Sequence, residues 1–388
     1  MSAMTTAEQR TTLWEIARLF LKLGTTAFGG PTAHIAMLEH EVVERRGWLP
    51  PGEFLDHFAA SNLIPGPTST ELLLHIGRLR GGWAGLLVAG SCFILPAAVM
   101  VGILAWAYVR FGELPAVAGL LYGVKPVVIA VILQALWKLG RSAIKSWWLG
   151  MVGVIALGLS VVGVSPLLVL AAGGILALAV AVRRLRNPAS RFAWGAADYV
   201  VSFTATAGVT GVSAGLWPIF FIFAKIGAMV FGSGYVLLAF LRADLVERHA
   251  WLTQQQLLDA VAVGQVTPGP VFTTATFLGY LLHGTSGAVA ATLGIFLPAF
   301  ILVAVSAPLI PKIRASRMAG AALDGINVAS LVLMTFVTWQ LARAAIVDRG
   351  TLALAIISAG LLFRFPRINS VWLVAGAGLL GAFRYASA

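Results

Sequence analysis

The chain has 388 residues, of which 59% are hydrophobic and 11% charged, with a mean hydropathy of +0.90. Soluble domains carry roughly 25% charged residues, so this composition excludes a surface that faces water throughout. The formal net charge of +12 does not indicate a nucleic-acid partner, because the Lys and Arg fall between apolar runs, where they set topology and meet anionic lipid.

The first apolar segment carries Glu15, Arg18 and Lys22. No cleavable signal peptide is expected there, and insertion is assigned to the first helices themselves. The segment runs into "FGG" at 28–30 followed by Pro31-Thr32, then into "EHEVVERRGW" at 39–48, an amphipathic interfacial run. "SNLIPGPTST" at 61–70 breaks the chain at Pro65, Gly66 and Pro67. Uncharged runs then follow at 81–109, 146–182 and 286–311. A membrane span needs about 20 apolar residues, and the second of these runs is long enough for a helical hairpin. Between the last two runs come "FGSG" at 231–234, "RADLVERHAW" at 242–251 and "GQVTPGPVFT" at 264–273. The single cysteine, Cys92, excludes an intrachain disulfide.

The chain repeats itself. At an offset of 203, residues 20–67 lie over 223–270 with 18 of 48 positions identical and no gap. Phe28-Gly29 falls on Phe231-Gly232, "VERRGWL" on "VERHAWL", Leu55-Asp56 on Leu258-Asp259, and Pro-Gly-Pro on Pro-Gly-Pro. One deletion later, at offset 202, Leu95-Pro96 meets Leu297-Pro298 and Trp137 meets Trp339. The expected organisation is a first repeat over 1–190, a linking segment over 191–212 that carries an extra span, and a second repeat over 213–388.

Loop charge orients the halves. "RFGELP" at 110–115 is balanced, whereas its equivalent "PKIRASR" has three basic residues; one connection later, "KLGRSAIK" has three and "RAAIVDR" a net one. Equivalent loops therefore fall on opposite sides. The expected fold is an all-α polytopic membrane protein with inverted halves, about 13 spans, broken or re-entrant helices, a cytoplasmic N-terminus and a periplasmic C-terminus.

The breaks locate the candidate site. Unsatisfied backbone groups cost several kcal/mol in hydrocarbon, so an interrupted helix survives only when buried or lining a polar cavity. Proline removes a donor and biases the preceding residue away from helix. Pro67 suits the first turn of a new helix, where Thr68, Ser69 and Thr70 can bond free amides or a ligand; Thr273 and Thr274 stand in similar places after Gly269. Gly29, Gly30, Thr32, Gly232, Ser233 and Gly234 mark the second kind of break, where backbone can approach an anion. Simple surface loops and glycine-mediated helix packing are the bland alternatives.

Among charges, Lys22 and Lys225 match at offset 203 in apolar segments and are expected to face an anion or to snorkel. Lys125 lies mid-span, and Asp324 is expected either to pair with it or to carry a proton. Glu71, Asp56 and Asp259 are further proton-coupling candidates. The six histidines show no repeated metal-ligand spacing, and no nucleophile elbow, Walker loop or zinc-protease motif is present. No metal, cofactor or catalysis is expected.

Several spaced motifs resemble the chromate ion transporter family in its long, two-domain form. They are "FGGPTAHIAMLEHEVVERRGWL", "LIPGPTSTELLLHIG" and "ILPA" in the first half, and "FGSGYVLLAFLRADLVERHAWL", "VTPGPVFTTATFLGY" and "FLPAF" in the second. The resemblance covers nearly the whole chain. It implies a bacterial inner-membrane carrier that exports chromate, driven by the electrochemical gradient and discriminating imperfectly against sulfate. Physics alone does not separate those two dianions. The expected partners are this oxyanion and the bilayer, with a homodimer left open. Ser233-Gly234 departs from Gly30-Pro31, so the two half-sites are expected to be unequal.

Overall fold

The computed structural model describes residues 11–28, 30–112, 114–186, 214–231, 234, 236–306, 317–365 and 368–386. The linking segment at 191–212, with its expected span, lies outside them, as do Gly29, Gly232 and Ser233. Among the described residues the structure is helical throughout, with no strand.

The first half runs α1 (Leu13–Thr26), α2 (Gly30–Glu39, continued by a π-helical turn to Arg45), α3 (Pro51–Ser61), α4 (Thr68–Phe111), α5 (Pro115–Ala143), α6 (Trp147–Val161) and α7 (Pro166–Arg186). The second half repeats the order as α8 (Leu216–Met229), α9 (Leu237–Leu241, continued by a π-helical turn to Arg248), α10 (Gln254–Val266), α11 (Thr274–Ser306), α12 (Arg317–Ala345), α13 (Arg349–Arg364) and α14 (Ser370–Ala386). Among the described residues five helices are long and apolar enough to cross a membrane: α4, α5, α7, α11 and α12. Three more, α6, α8 and α14, are apolar but shorter.

The duplication is written into the backbone. α4 bends at Gly81-Gly82 (φ/ψ −132°/15° and 61°/−146°) and α11 at His283-Gly284 (−151°/34° and 57°/−147°). The positive φ at each second position is the conformation glycine adopts without steric cost. Each bend folds a short arm back on a long one. The arms pack glycine to glycine: a Cβ on Gly77 would come within 2.7 Å of the Gly85 carbonyl, and Gly279 meets Gly287 in the same way. α1 lies along the long arm of α4, where Gly24 abuts Phe93, as α8 lies along that of α11, where Gly227 abuts Ile295.

Contacts between the halves are reciprocal, and α4 with α11 and α5 with α12 pack antiparallel. Arg78, beside the bend of α4, donates to the Val303 carbonyl at the far end of α11 (3.2 Å), while the ring of Tyr108 at the far end of α4 packs at a tilt against Phe277 in the short arm of α11. Likewise Tyr122, near the start of α5, donates to Asp348 beyond the end of α12 (2.7 Å), and Lys145 beyond the end of α5 pairs with Asp324 near the start of α12 (2.8 Å). The last hairpins are exchanged: α13 and α14 pack on α5, and α6 and α7 pack on α12. Gly123 against Ala377, and Gly173 against Gly325, let these backbones touch. The core therefore spans both halves, with Val101, Val127, Ile132, Phe223, Phe277 and Leu333 in one cluster.

Candidate functional site

Where the helices break, the halves hold each other. α1 stops at Ala27 and α8 at Val230, each leaving its last carbonyls without the next turn. The Gly66 amide donates to the Val230 carbonyl (2.6 Å), and the Gly269 amide donates to the Ala27 carbonyl (3.0 Å). Both glycines are at positive φ (141° and 92°), and both are enclosed: a Cβ on Gly269 would lie 2.6 Å from that of Ala97, and one on Gly66 would strike the Glu71 carboxyl. The two Pro-Gly-Pro breaks are thus buried in the interior, and the glycine amides bind the opposite half rather than standing open to a solute.

Just beyond these bonds two helices start without a side-chain cap, α4 at Thr68 and the 3₁₀ turn Val271–Thr273 leading into α11. Unsatisfied N–H groups and the helix dipole make such starts favourable places for negative charge. Thr68, Ser69, Thr70, Thr273 and Thr274 are all buried there, but their hydroxyls differ. Thr273 and Thr274 donate to the carbonyls of Pro270 and Val271 (2.8 Å each), whereas the Thr70 hydroxyl has no protein partner. Glu71, one residue on, is fully buried, and neither of its carboxyl oxygens has a hydrogen-bond partner. The first copy is the less satisfied one.

The predicted lysines are all in ion pairs. Lys22 binds Glu41 (2.5 Å) and Lys225 binds Asp244 (2.6 Å), equivalent pairs in the two halves. Arg45 and Arg46 also reach Glu41 (3.0 and 3.3 Å), so three cations surround one carboxylate. Burial pushes the Glu41 carboxyl up, but the bonds and charges of Lys22 and Arg45 outweigh it and bring the pKa down to about 2. Half of the Lys22 side chain remains exposed. Sequence reasoning missed Glu41 and Asp244 as partners; the signal was the same 19-residue spacing to lysine in both copies.

Lys125 does not pair with Asp324. It binds Asp259 of the other half (2.7 Å), which also accepts from the Tyr108 hydroxyl (2.9 Å). Because α5 and α12 run antiparallel, Asp324 meets the end of α5, at Lys145, rather than its middle. The Lys125–Asp259 pair is buried and sits on the wall of a cavity of about 630 Å³ lined also by Tyr108, Tyr122, Gln255 and Gln256. Asp56, the sequence equivalent of Asp259, is exposed on α3. Pro65 is half-buried beside Gly66, and Gly30 and Gly234 are buried near the ends of α1 and α8. No group of three or more metal-ligating side chains occurs among the described residues.

The candidate site is therefore a pair of broken helices locked reciprocally, with uncapped helix starts at the centre and one buried and two part-exposed ion pairs around it. A chromate transporter family model matches residues 14–178 and 217–382, one match in each half. The chain is similar to a chromate transport protein of Cupriavidus metallidurans (34% identity over 96% of this chain and 94% of the relative). It is also similar to one of Pseudomonas aeruginosa (32%, over 93% and 90%) and to a probable chromate transport protein of Synechococcus elongatus (31%, over 89% and 88%). No solved structure matches. With a family match in both halves and relatives alike along nearly their whole length, the chain belongs to the chromate transporter family.

Proposed function

We propose that this protein exports chromate from the cytoplasm through the inner membrane by alternating access between two inverted halves, driven by the electrochemical gradient. The observation that carries this is the reciprocal bonding of the two breaks, Gly66 to Val230 and Gly269 to Ala27. It sets two buried, uncapped helix starts at the junction of the repeats, the position at which carriers built from repeats bind their solutes. A tetrahedral dianion suits that place: amides, the Thr70 hydroxyl and the dipole of α4 favour negative charge, with Ser69 and Thr68 alongside.

The opposed directions of α4 and α11, and of α5 and α12, support inverted rather than parallel halves. The count of about 13 crossings is supported by the chain ends. α7 runs antiparallel to α12 and finishes at the end of the bundle where α12 begins, whereas α8 starts at the end where the long arm of α11 begins. These two ends lie at opposite ends of the bundle, which is what supports an odd count. With the basic connections on the cytoplasmic side, the N-terminus is inside and the C-terminus outside.

The lysines enter differently from simple anion ligands. Lys125 offers its charge to a solute only by leaving Asp259, so the oxyanion competes with a carboxylate for it. With Arg45 and Arg46 beside Lys22–Glu41, and Arg248 beside Lys225–Asp244, each cluster has more cations than carboxylates and attracts anions.

The test is uptake of labelled chromate into proteoliposomes containing the purified protein, with an imposed membrane potential. Saturable uptake that follows the potential, and is inhibited more weakly by sulfate than by unlabelled chromate, is the expected result. Equal competition by sulfate makes this a general dianion carrier. Current without saturation makes it a channel.

A further inference from the structure

Resting on the transport function proposed above, we propose that Glu53, His57 and His75 form a proton relay that loads and unloads Glu71, so that protons reach the centre of the carrier from one end only.

Glu71 and His75 are four residues apart on the short arm of α4 and so share one helix face. His75 is buried, and its Nε2 has no hydrogen-bond partner. Its ring lies 6.0 Å, centroid to centroid, from that of His57 on α3, and the His57 Nε2 lies 3.9 Å from Glu53, which is exposed. The four groups thus run from the surface to a fully buried carboxyl. An ionised carboxylate at that point has no counter-ion and no hydrogen bond to offset its desolvation. The neutral acid, in contrast, has an O–H to donate to Thr70 or to an oxyanion.

Other titratable groups around the path do not short-circuit it. From α2, His34 is fixed by the Ala27 carbonyl through Nε2 (3.1 Å) and by Ser69 at Nδ1 (3.5 Å). Asp56 on α3 is exposed. Arg78, one turn beyond His75 on α4, is engaged by Val303 and Ala304. The parts of α8 and α11 that meet the break contribute Val230 and Ala299, neither titratable.

The second copy lacks the whole series. Gln256 stands for Glu53, Ala260 for His57, Thr273 or Thr274 for Glu71, and Phe277 or Leu278 for His75, the choice depending on where the one-residue deletion is placed. Four titratable groups in one half against none in the other is a division of labour rather than drift at a single position. It also shows that this backbone folds with inert residues at all four places.

On entry an O–H bond of hydronium or of the protonated Glu53 carboxyl breaks as an N–H bond forms on His57. In the later transfers an imidazolium N–H breaks as an N–H forms on His75, through a ring rotation or one water, and then as an O–H forms on Glu71. The proton enters from water at Glu53–His57 and ends on the Glu71 carboxyl. Burial holds the His57 imidazole below its ordinary value, against the pull of Glu53 and Asp56, which suits a group that must pass a proton on.

The experiment is infrared spectroscopy of the purified protein after a pH jump, which needs no transport. Wild type should show a protonated-carboxyl band that Glu71→Gln removes. Its appearance should slow at least about tenfold in His57→Ala and His75→Gln. A band that survives Glu71→Gln, or unchanged rates in both histidine variants, overturns the relay. Chromate uptake measured in the same preparations separates the two proposals: a wild type that moves no anion but keeps the Glu71 band refutes the transport function alone.

Discussion

The Gly66 amide lies 2.6 Å from the Val230 carbonyl, and the same bond recurs with the halves exchanged, from Gly269 to Ala27 at 3.0 Å. Two broken helices thereby complete each other. A carbonyl left over at the end of one finds its donor in the proline-flanked turn of the other, which is how buried backbone that leaves the helix keeps its polar groups paired.

Alanine at either glycine should therefore cost more than loss of flexibility. Left-handed backbone costs a non-glycine residue about 1–2 kcal/mol, and a Cβ at 66 strikes Glu71 while one at 269 meets Ala97. Gly66→Ala and Gly269→Ala should each lower the thermal stability of the detergent-solubilised protein and abolish uptake. Gly52→Ala, where a Cβ meets nothing within 4 Å, is the control that should behave as wild type.

Opposed helix directions make a topology prediction. Val162 and Arg364 are exposed residues at equivalent turns, 202 positions apart. In a Cys92→Ser background, Val162→Cys should react with an impermeant maleimide from the periplasm and Arg364→Cys only from the cytoplasm. Labelling of both from one side would make the halves parallel.

The glycines and prolines made most of this legible in the sequence, because each has a backbone reason to persist in both copies. Gly82 and Gly284 sit at positive φ, Gly77 and Gly85 touch, and the Pro-Gly-Pro turns carry the exchanged bonds. Charges were harder to read. Lys22 and Lys225 looked like solute ligands because their acids lie 19 residues away, beyond a helix break, where no helical spacing points to them. Asp324 stands near the sequence counterpart of Lys125, yet antiparallel packing brings Asp259 to that lysine from the other half. The exchange of the last hairpins between halves left no trace in composition or periodicity.

Glu41 should make stability depend on pH in one direction. Its folded pKa of about 2 lies below the ordinary 4.5, so its stabilising effect is complete above pH 4.5 and is lost as pH falls toward 2. Glu41→Gln should destabilise the protein at neutral pH by about 1–3 kcal/mol, and the gap to wild type should close on acidification across that window. A gap that widens on acidification would contradict the pairing with Lys22 and Arg45.

Unequal hydroxyls predict unequal half-sites. Thr70→Val removes a hydroxyl with no protein partner and should weaken chromate or sulfate binding about tenfold, the worth of one hydrogen bond to a charged group. Thr273→Val removes one that already donates to Pro270 and should leave anion affinity nearly unchanged. Isothermal titration with sulfate checks both, and equal losses would assign the two copies equal parts in binding.

Lys125 and Asp259 give the sharpest test of how charge is used. Removing one member of a buried pair leaves the other uncompensated, at about 3–5 kcal/mol. Asp259→Asn should therefore destabilise the protein while leaving Lys125 in need of a counter-charge. Sulfate can supply that charge, because the pair borders a cavity of about 630 Å³. Sulfate should then raise the melting temperature of Asp259→Asn by more than it raises that of wild type, where Asp259 competes for the ammonium. In Lys125→Met/Asp259→Leu, which replaces both charges, stability should return and the sulfate effect should fall below that of wild type. If sulfate stabilises all three equally, Lys125 holds the two halves together and takes no part in binding the anion.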